Sequence, residues 1–373
     1  MSCSVCRLPF LPDRQVSNSP LPAHFAPSGV LTTSQTRYFE RANVFGELVP
    51  GFLIQNGPYY SSNMIGNTPS AVPICLNVQW EQITADATLI AMHSACLALF
   101  RRALGVEENT RENLLRLATF ERAMGRPAGG DAAGRWNDVN YEVVGDQVDT
   151  RALWRPGNDL GLNVFNWRGL AQQYPWLVSR PDVFPRFFPL PVAKTDDTIE
   201  CGSDILTRQP TDVLRAIAAQ LDVRTLTQLA ATCRFIRNLA KSDWQPLARR
   251  LALSLQWAVP TSSELKAVSE QSRERLAQPQ AEGDWLLYLG HVHRTNSMRV
   301  RRWIWAICGD IKRVADVKLE SAGLTDPDSP AMQQIDAKFN TLWTMFQTFH
   351  GRGTTTDQLM SMMNSAQGRM PTL

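Results

Sequence analysis

Residues 210–254 read PTDVLRAIAAQLDVRTLTQLAATCRFIRNLAKSDWQPLARRLALS, and their periodicity decides the fold class. Leu214, Ile217, Ala218 and Leu221 recur at i, i+3, i+4 and i+7, which is one face of an α-helix. Pro210 suits the first turn of that helix, where a missing N–H costs nothing. Thr225 and Gln228 have the spacing of a capping box, as do Ser242 and Gln245, so each pair marks a further helix start. Leu226, Leu229, Ala230, Cys233 and Ala240 make a second apolar stripe. Trp244, Leu247, Ala248 and Leu251 make a third. The expectation is three short amphipathic helices. Helices this short do not hold alone. Three of them enclose a small core and leave apolar side chains for a partner or a neighbouring domain to cover.

Upstream, the polar stretch 199–208 (IECGSDILTR) marks a boundary. Residues 136–198 are dense in Trp, Phe and Pro without a clean period, so they read as irregular and packed by aromatic burial. Residues 126–135 read as a loop. ENTRENLLRLATFERAM (108–124) is helical, with Asn109 or Thr110 as its cap. A helix also starts near His93, with Leu97, Phe100, Ala103 and Leu104 on one face. Residues 31–80 carry β-prone runs, RYFERANVFGELV and GFLIQ, between turn clusters. Residues 7–30 are rich in proline and serine and read as extended.

Downstream, 256–283 reads as a charged helix with a loop behind it. Residues 284–320 and 330–349 read as helical, and the tail from Gly351 is expected to be mobile. The expected class is α+β, mostly helical. The expected divisions are 1–125 (a strand-containing N-terminal domain), 126–200 (an aromatic connecting region), 201–255, 256–350 (C-terminal helices) and 351–373 (a tail).

The 373 residues are enough for two or three domains, and 44% hydrophobic with 20% charged supports a buried core. A net charge of +3 argues against nucleic-acid binding as the main function. Seven cysteines over this length are too few and odd in number for a disulfide scaffold, so a reducing compartment is expected. No secretory signal is visible, and LIAMHSACLALF is too short to span a bilayer. The expected location is the cytoplasm or nucleus, with no membrane contact.

Cys3 and Cys6 form a C-x-x-C pair, which presents two thiolates to one tetrahedral ion. Zinc then needs two more N or S donors. His93 and Cys96 offer them at the same spacing, at the start of a helix. The four residues would make a closed Cys3His site of the structural kind. The alternatives are loose terminal thiols with a buried Cys96, or a redox couple, which lacks its strand–turn–helix setting. Cys75 is a possible substitute ligand. His291 and His293 alternate on a helix, point in different directions, and read as solvent-facing.

The 205–250 stretch resembles an F-box. The carrying positions are Gln209-Pro210, Asp212, Val213-Leu214, Ile217, Leu221, Leu226, Leu229, Thr232, Cys233-Arg234, Leu239-Ala240 and Trp244. Gln209, Thr225 and Thr232 depart from the family's leucine, acidic residue and aliphatic. More thinly, residues 1–315 resemble fungal F-box proteins with an N-terminal C-x-x-C and an H-x-x-C. Trp136 to Tyr141, Asp284-Trp285, Arg301-Arg302 and Trp305 carry the remaining likeness. The resemblance implies docking on a Skp adaptor, and through it on cullin and RING subunits, with an unknown target protein held elsewhere. It assigns Pro210, Val213, Leu214, Ile217, Leu221, Leu226, Leu229, Cys233, Arg234 and Trp244 to protein binding. It implies a substrate receptor of a ubiquitin ligase, with no catalytic residue. An enzyme is the second class, and no catalytic or nucleotide-binding signature supports it. The remaining alternatives are a zinc-containing interaction module without a ligase role, and a zinc-dependent nucleic-acid binder using Arg299, Arg301, Arg302, Trp303 and Trp305.

Overall fold

The computed structural model describes residues 2–11, 29–45, 55–58, 90–185 and 204–350, except 109, 126, 128–133, 143, 145–146, 157–162, 267–269, 271–273 and 275–282. Cys75, most of the extended segment 7–30, the strand run 51–54 and the tail 351–373 lie outside the described residues.

The chain is mostly helical. In order come α1 (Thr33–Phe39), β1 (Arg41–Phe45), β2 (Gln55–Pro58), β3 (Ile90–His93), α2 (Ser94–Ala103) and α3 (Arg111–Met124). Then follow β4 (Trp154–Pro156), β5 (Asn163–Phe165), α4 (Trp167–Gln173), α5 (Thr211–Ala219), α6 (Val223–Thr232), α7 (Arg234–Ser242), α8 (Gln245–Ser254) and α9 (Ser262–Lys266). Helices Trp285–Arg294, Asn296–Ser321 and Pro330–His350 complete the order. Among the described residues no helix is long and apolar enough to cross a membrane. The chain divides into two compact units, Met1–Val178 with Trp303–Leu373, and Ser179–Arg302.

In the first unit β1 lies between β2 and β3 in an antiparallel sheet, with Ala42 opposite His93. The sequence run 37–49 was expected to be extended, but Arg37–Phe39 end helix α1 instead. Thr32 and Gln35 explain this, because they form a reciprocal capping box ahead of the run. All four residues of β3 are buried, and α2 starts directly after it with His93 as its N-cap. Leu97 and Phe100 face the core as expected; Ala103 and Leu104 are only half-buried. Thr110 caps α3, its Oγ1 accepting from Asn113 N at 3.2 Å.

Aromatic packing does organise the middle of the chain. Phe100, Phe120 and Trp136 meet edge to face at 5.0 and 5.8 Å. Trp154, Phe165, Trp167 and Phe39 continue such contacts at 5.1, 5.0 and 5.1 Å. Regular structure is present there too: β4 pairs antiparallel with β5, and α4 follows.

Residues 210–254 lie in the second unit and form four helices rather than three. The second apolar stripe breaks at Cys233, which takes an extended conformation (φ −149°, ψ 165°) between α6 and α7. Apolar spacing runs through the break because the stripe resumes at Ile236 and Ala240. The capping boxes are also absent. Asp222 starts α6 instead, its carboxylate accepting from Thr225 N at 2.8 Å. Ser242 Oγ donates backward to Asn238 O at 3.0 Å. Gln245 is used elsewhere, its Oε1 accepting from Trp285 N at 2.7 Å. Leu214, Ala218, Leu226, Ala230, Ile236, Ala240 and Trp244 form one buried cluster. The expected single helical region 284–320 is interrupted at Thr295, whose ψ is 140°.

Candidate metal centre

Cys3, Cys6, His93 and Cys96 are all buried, and their donor atoms lie within 4.8 Å of one another. The four could hold one metal ion. The chain brings them together from two short pieces. The N-terminal piece turns back on itself: Arg7 N donates to Cys3 O at 2.9 Å and Cys3 N to Leu8 O at 3.0 Å. That turn places both sulfurs on one side. The second piece is the β3–α2 junction, where His93 ends the strand and Cys96 sits in the first turn of the helix. Ser4 N donates to Ala91 O at 2.9 Å, which docks the turn against β3. His93 Nδ1 lies 3.3 Å from Cys6 Sγ, and His93 N donates to Cys3 Sγ at 3.4 Å.

Burial pushes the Cys6 and Cys96 thiols well above the ordinary thiol value. Burial opposes ionisation of Cys3 as well. Hydrogen bonds from Cys6 and Cys96 and the field of His93 outweigh it, and hold Cys3 well below the ordinary value. The pocket therefore favours negative charge on the Cys3 sulfur.

Several supporting residues, all but Tyr141, carried no sequence signal. Phe10, Tyr38 and Phe39 surround the His93 ring at centroid distances of 4.5, 5.2 and 5.2 Å. Tyr38 Oη is 3.9 Å from Cys96 Sγ. Tyr141 Oη donates to Ser4 O at 2.9 Å, inside the N-terminal turn. Gly134 has φ +77°, and a Cβ there would stand 2.7 Å from Ser2 O, so only glycine lets this segment approach the turn. These partners are 54 to 137 positions apart along the chain, and no local pattern announces the pairings.

The residues assigned to protein binding separate into three groups. Leu214, Leu226 and Trp244 are 1%, 0% and 1% exposed and belong to the core. Leu221 and Leu229 are half-buried. Pro210, Val213, Ile217, Cys233 and Arg234 are exposed. Cys233 was expected to be buried in the second stripe, and the break in the helix turns it out to solvent. His291 and His293 are exposed, as expected.

Of the Arg–Trp run, Arg301 and Trp303 are buried, Arg302 and Trp305 are half-buried, and Arg299 is exposed. Arg301 is fully buried, donating to Glu264 at 2.8 and 2.9 Å and lying 4.5 Å over the Phe184 ring. Trp303 is 2% exposed. No protein-family model, curated protein or solved structure matches the chain. The F-box resemblance therefore rests on the motif residues themselves.

Proposed function

We propose that the chain is a non-enzymatic assembly subunit that docks a Skp adaptor through α5–α8 in the manner of an F-box. Through the adaptor it would join cullin and RING subunits and present a target protein to a ubiquitin ligase. One observation carries this reading. Pro210, Val213 and Ile217 form an exposed apolar strip at the start and along one side of α5, with Val213 and Ile217 each 41% exposed. It lies beside the buried face of Leu214 and Ala218, so it is not needed for the core. Interfaces draw most of their energy from a few such anchors. The chain would contribute proximity, not chemistry.

The metal ion of the first unit is read as a structural zinc. Tetrahedral Zn–S and Zn–N bonds of about 2.0–2.3 Å place donors about 3.3–3.8 Å apart. The 3.3 Å separation of Cys6 Sγ and His93 Nδ1 is close to that edge. Three thiolates and an imidazole suit zinc and leave no open position for catalysis. The nucleic-acid alternative is weaker, because Arg301 and Trp303 are committed to the interior.

Co-purification of the full chain with the adaptor at micromolar concentration tests the reading. Val213→Asp with Ile217→Asp should abolish capture while the melting temperature holds. A wild-type chain that captures no adaptor overturns it.

A further inference from the structure

Apart from the metal centre, the first unit contains a concentration of cations on a single atom. Glu142 Oε1 lies 3.2 Å from Arg7 Nη1, 3.2 Å from Arg135 Nη1 and 3.1 Å from Arg151 Nε. Its second oxygen accepts from Arg135 Nη2 at a longer 3.4 Å. Asp149 takes a share of Arg151 at 3.2 Å. Three guanidiniums thus meet two carboxylates, and one carboxylate oxygen serves all three.

The arginines are built into place. The Arg7 and Arg135 side chains are 3% and 11% exposed, and each guanidinium lies 5.5 Å from the Tyr141 ring centroid. The Nε atoms of both are buried without a hydrogen-bond partner among the described residues. Arg151 is 51% exposed and leaves one side open. Arg7 also has φ +61°, a left-handed conformation that favours glycine. A turn directly after Cys6 would be relaxed by glycine. An arginine kept in that conformation points to a task for its side chain.

We propose that Arg7, Arg135 and Arg151 form a binding site for a phosphoryl group, and that Glu142 fills it when the group is absent. Three guanidiniums on one oxygen over-serve a carboxylate, with the Nε and Nη2 fork of Arg151 turned to Asp149 meanwhile. A phosphoryl group brings about −1.5 to −2 charge and three acceptor oxygens, one for each fork. Glu142 is 19% exposed and can leave toward solvent as the phosphoryl group enters. The inference stands apart from adaptor docking and from the identity of the metal.

The test uses the full chain and inorganic phosphate, against chloride at matched ionic strength, by calorimetry and thermal shift. Phosphate should bind and raise the melting temperature. Glu142→Gln removes the built-in competitor and should tighten binding by about tenfold, while Arg151→Ala should weaken it by about tenfold or more without changing the ligand-free melting temperature. Arg135→Lys keeps the charge, loses the fork and should weaken binding too. O-phosphoserine is the second probe. Tighter binding than inorganic phosphate assigns a phosphorylated protein side chain, and equal or weaker binding assigns free phosphate. The proposal is overturned if neither probe outperforms chloride on both wild type and Glu142→Gln. It also fails if phosphate has no effect while Arg135→Lys releases the metal, because the arginines are then counter-charge to the metal centre.

Discussion

His93 sits where strand, helix and N-terminal turn meet, and its surroundings set what single substitutions should do. Removing one of four donors leaves an incomplete site, and in such sites metal-binding free energy is folding free energy. Cys6→Ser should reduce zinc from about one per chain to none and lower the melting temperature of the metal-bound unit. Metal analysis by mass spectrometry checks it, and zinc retained at full stoichiometry would remove Cys6 from the ligand set. The matched C-x-x-C and H-x-x-C spacings made the four donors legible, because metal geometry imposes a local rule on each half. The aromatic cage of Phe10, Tyr38 and Phe39 obeys no such rule, since packing selects neighbours in space.

Cys308 makes the stability of the fold depend on pH. It is fully buried, and burial pushes its thiol well above the ordinary value. The unfolded chain loses this proton near pH 8.5, as model thiols do, while the folded chain keeps it. The folded state then binds more protons, so stability falls as pH rises. The contribution is fully present below about pH 8.5 and is lost as pH climbs toward the folded value. Urea midpoints from about pH 7.5 to 10 should fall more steeply for zinc-loaded wild type than for Cys308→Ala. Parallel curves would mean that the thiol is hydrated or ionised in the folded state.

Helices α5–α8 show what periodicity resolves and what it misses. It placed Leu214 and Ala218 on the buried face of α5, but it gave Ile217 equal rank and ran the stripe on to Leu221, past the helix end at Ala219. The structure buries Leu214 to 1% and leaves Ile217 at 41%. The remaining helices meet α5 along only part of that arc, and no one-dimensional pattern fixes where the arc is covered. Leu214→Ala should therefore cost about 2–5 kcal/mol by leaving a cavity. Ile217→Ala should stay within about 0.5 kcal/mol. Chemical denaturation of the two variants separates them, and equal losses would refute the division into core and strip.

The break at Cys233 was invisible for a related reason: it lies in backbone torsion, while the apolar spacing continues past it. Cys233 Sγ caps α7, accepting from Ile236 N at 3.5 Å. Serine is a preferred cap and an oxygen accepts better than sulfur. Cys233→Ser should hold or raise stability by up to about 1 kcal/mol, and Cys233→Ala should lower it by about 0.5–1 kcal/mol. Identical melts for the two variants would show that the contact contributes nothing.

The whole chain divides into units that draw on different resources. Met1–Val178 with Trp303–Leu373 contains all four metal donors, whereas Ser179–Arg302 contains the α5–α8 cluster and the buried Arg301–Glu264 pair. The sequence hid Arg301 because a buried arginine looks like a surface one until its partners are known. Those partners include the carbonyls of Trp257, Val259 and Pro181. A metal that binds only the folded form stabilises by mass action, by about 2.7 kcal/mol at a hundredfold excess over its dissociation constant. That stabilisation belongs to the unit that holds the donors. Stripping the metal with a strong chelator should shift one calorimetric transition downward and leave the other in place. Cys6→Ser should reproduce the shift without chelator, and Leu214→Ala should move the opposite transition. If chelation moves both transitions together, the two units unfold as one cooperative body, and the metal's stabilisation extends to helices α5–α8 as well.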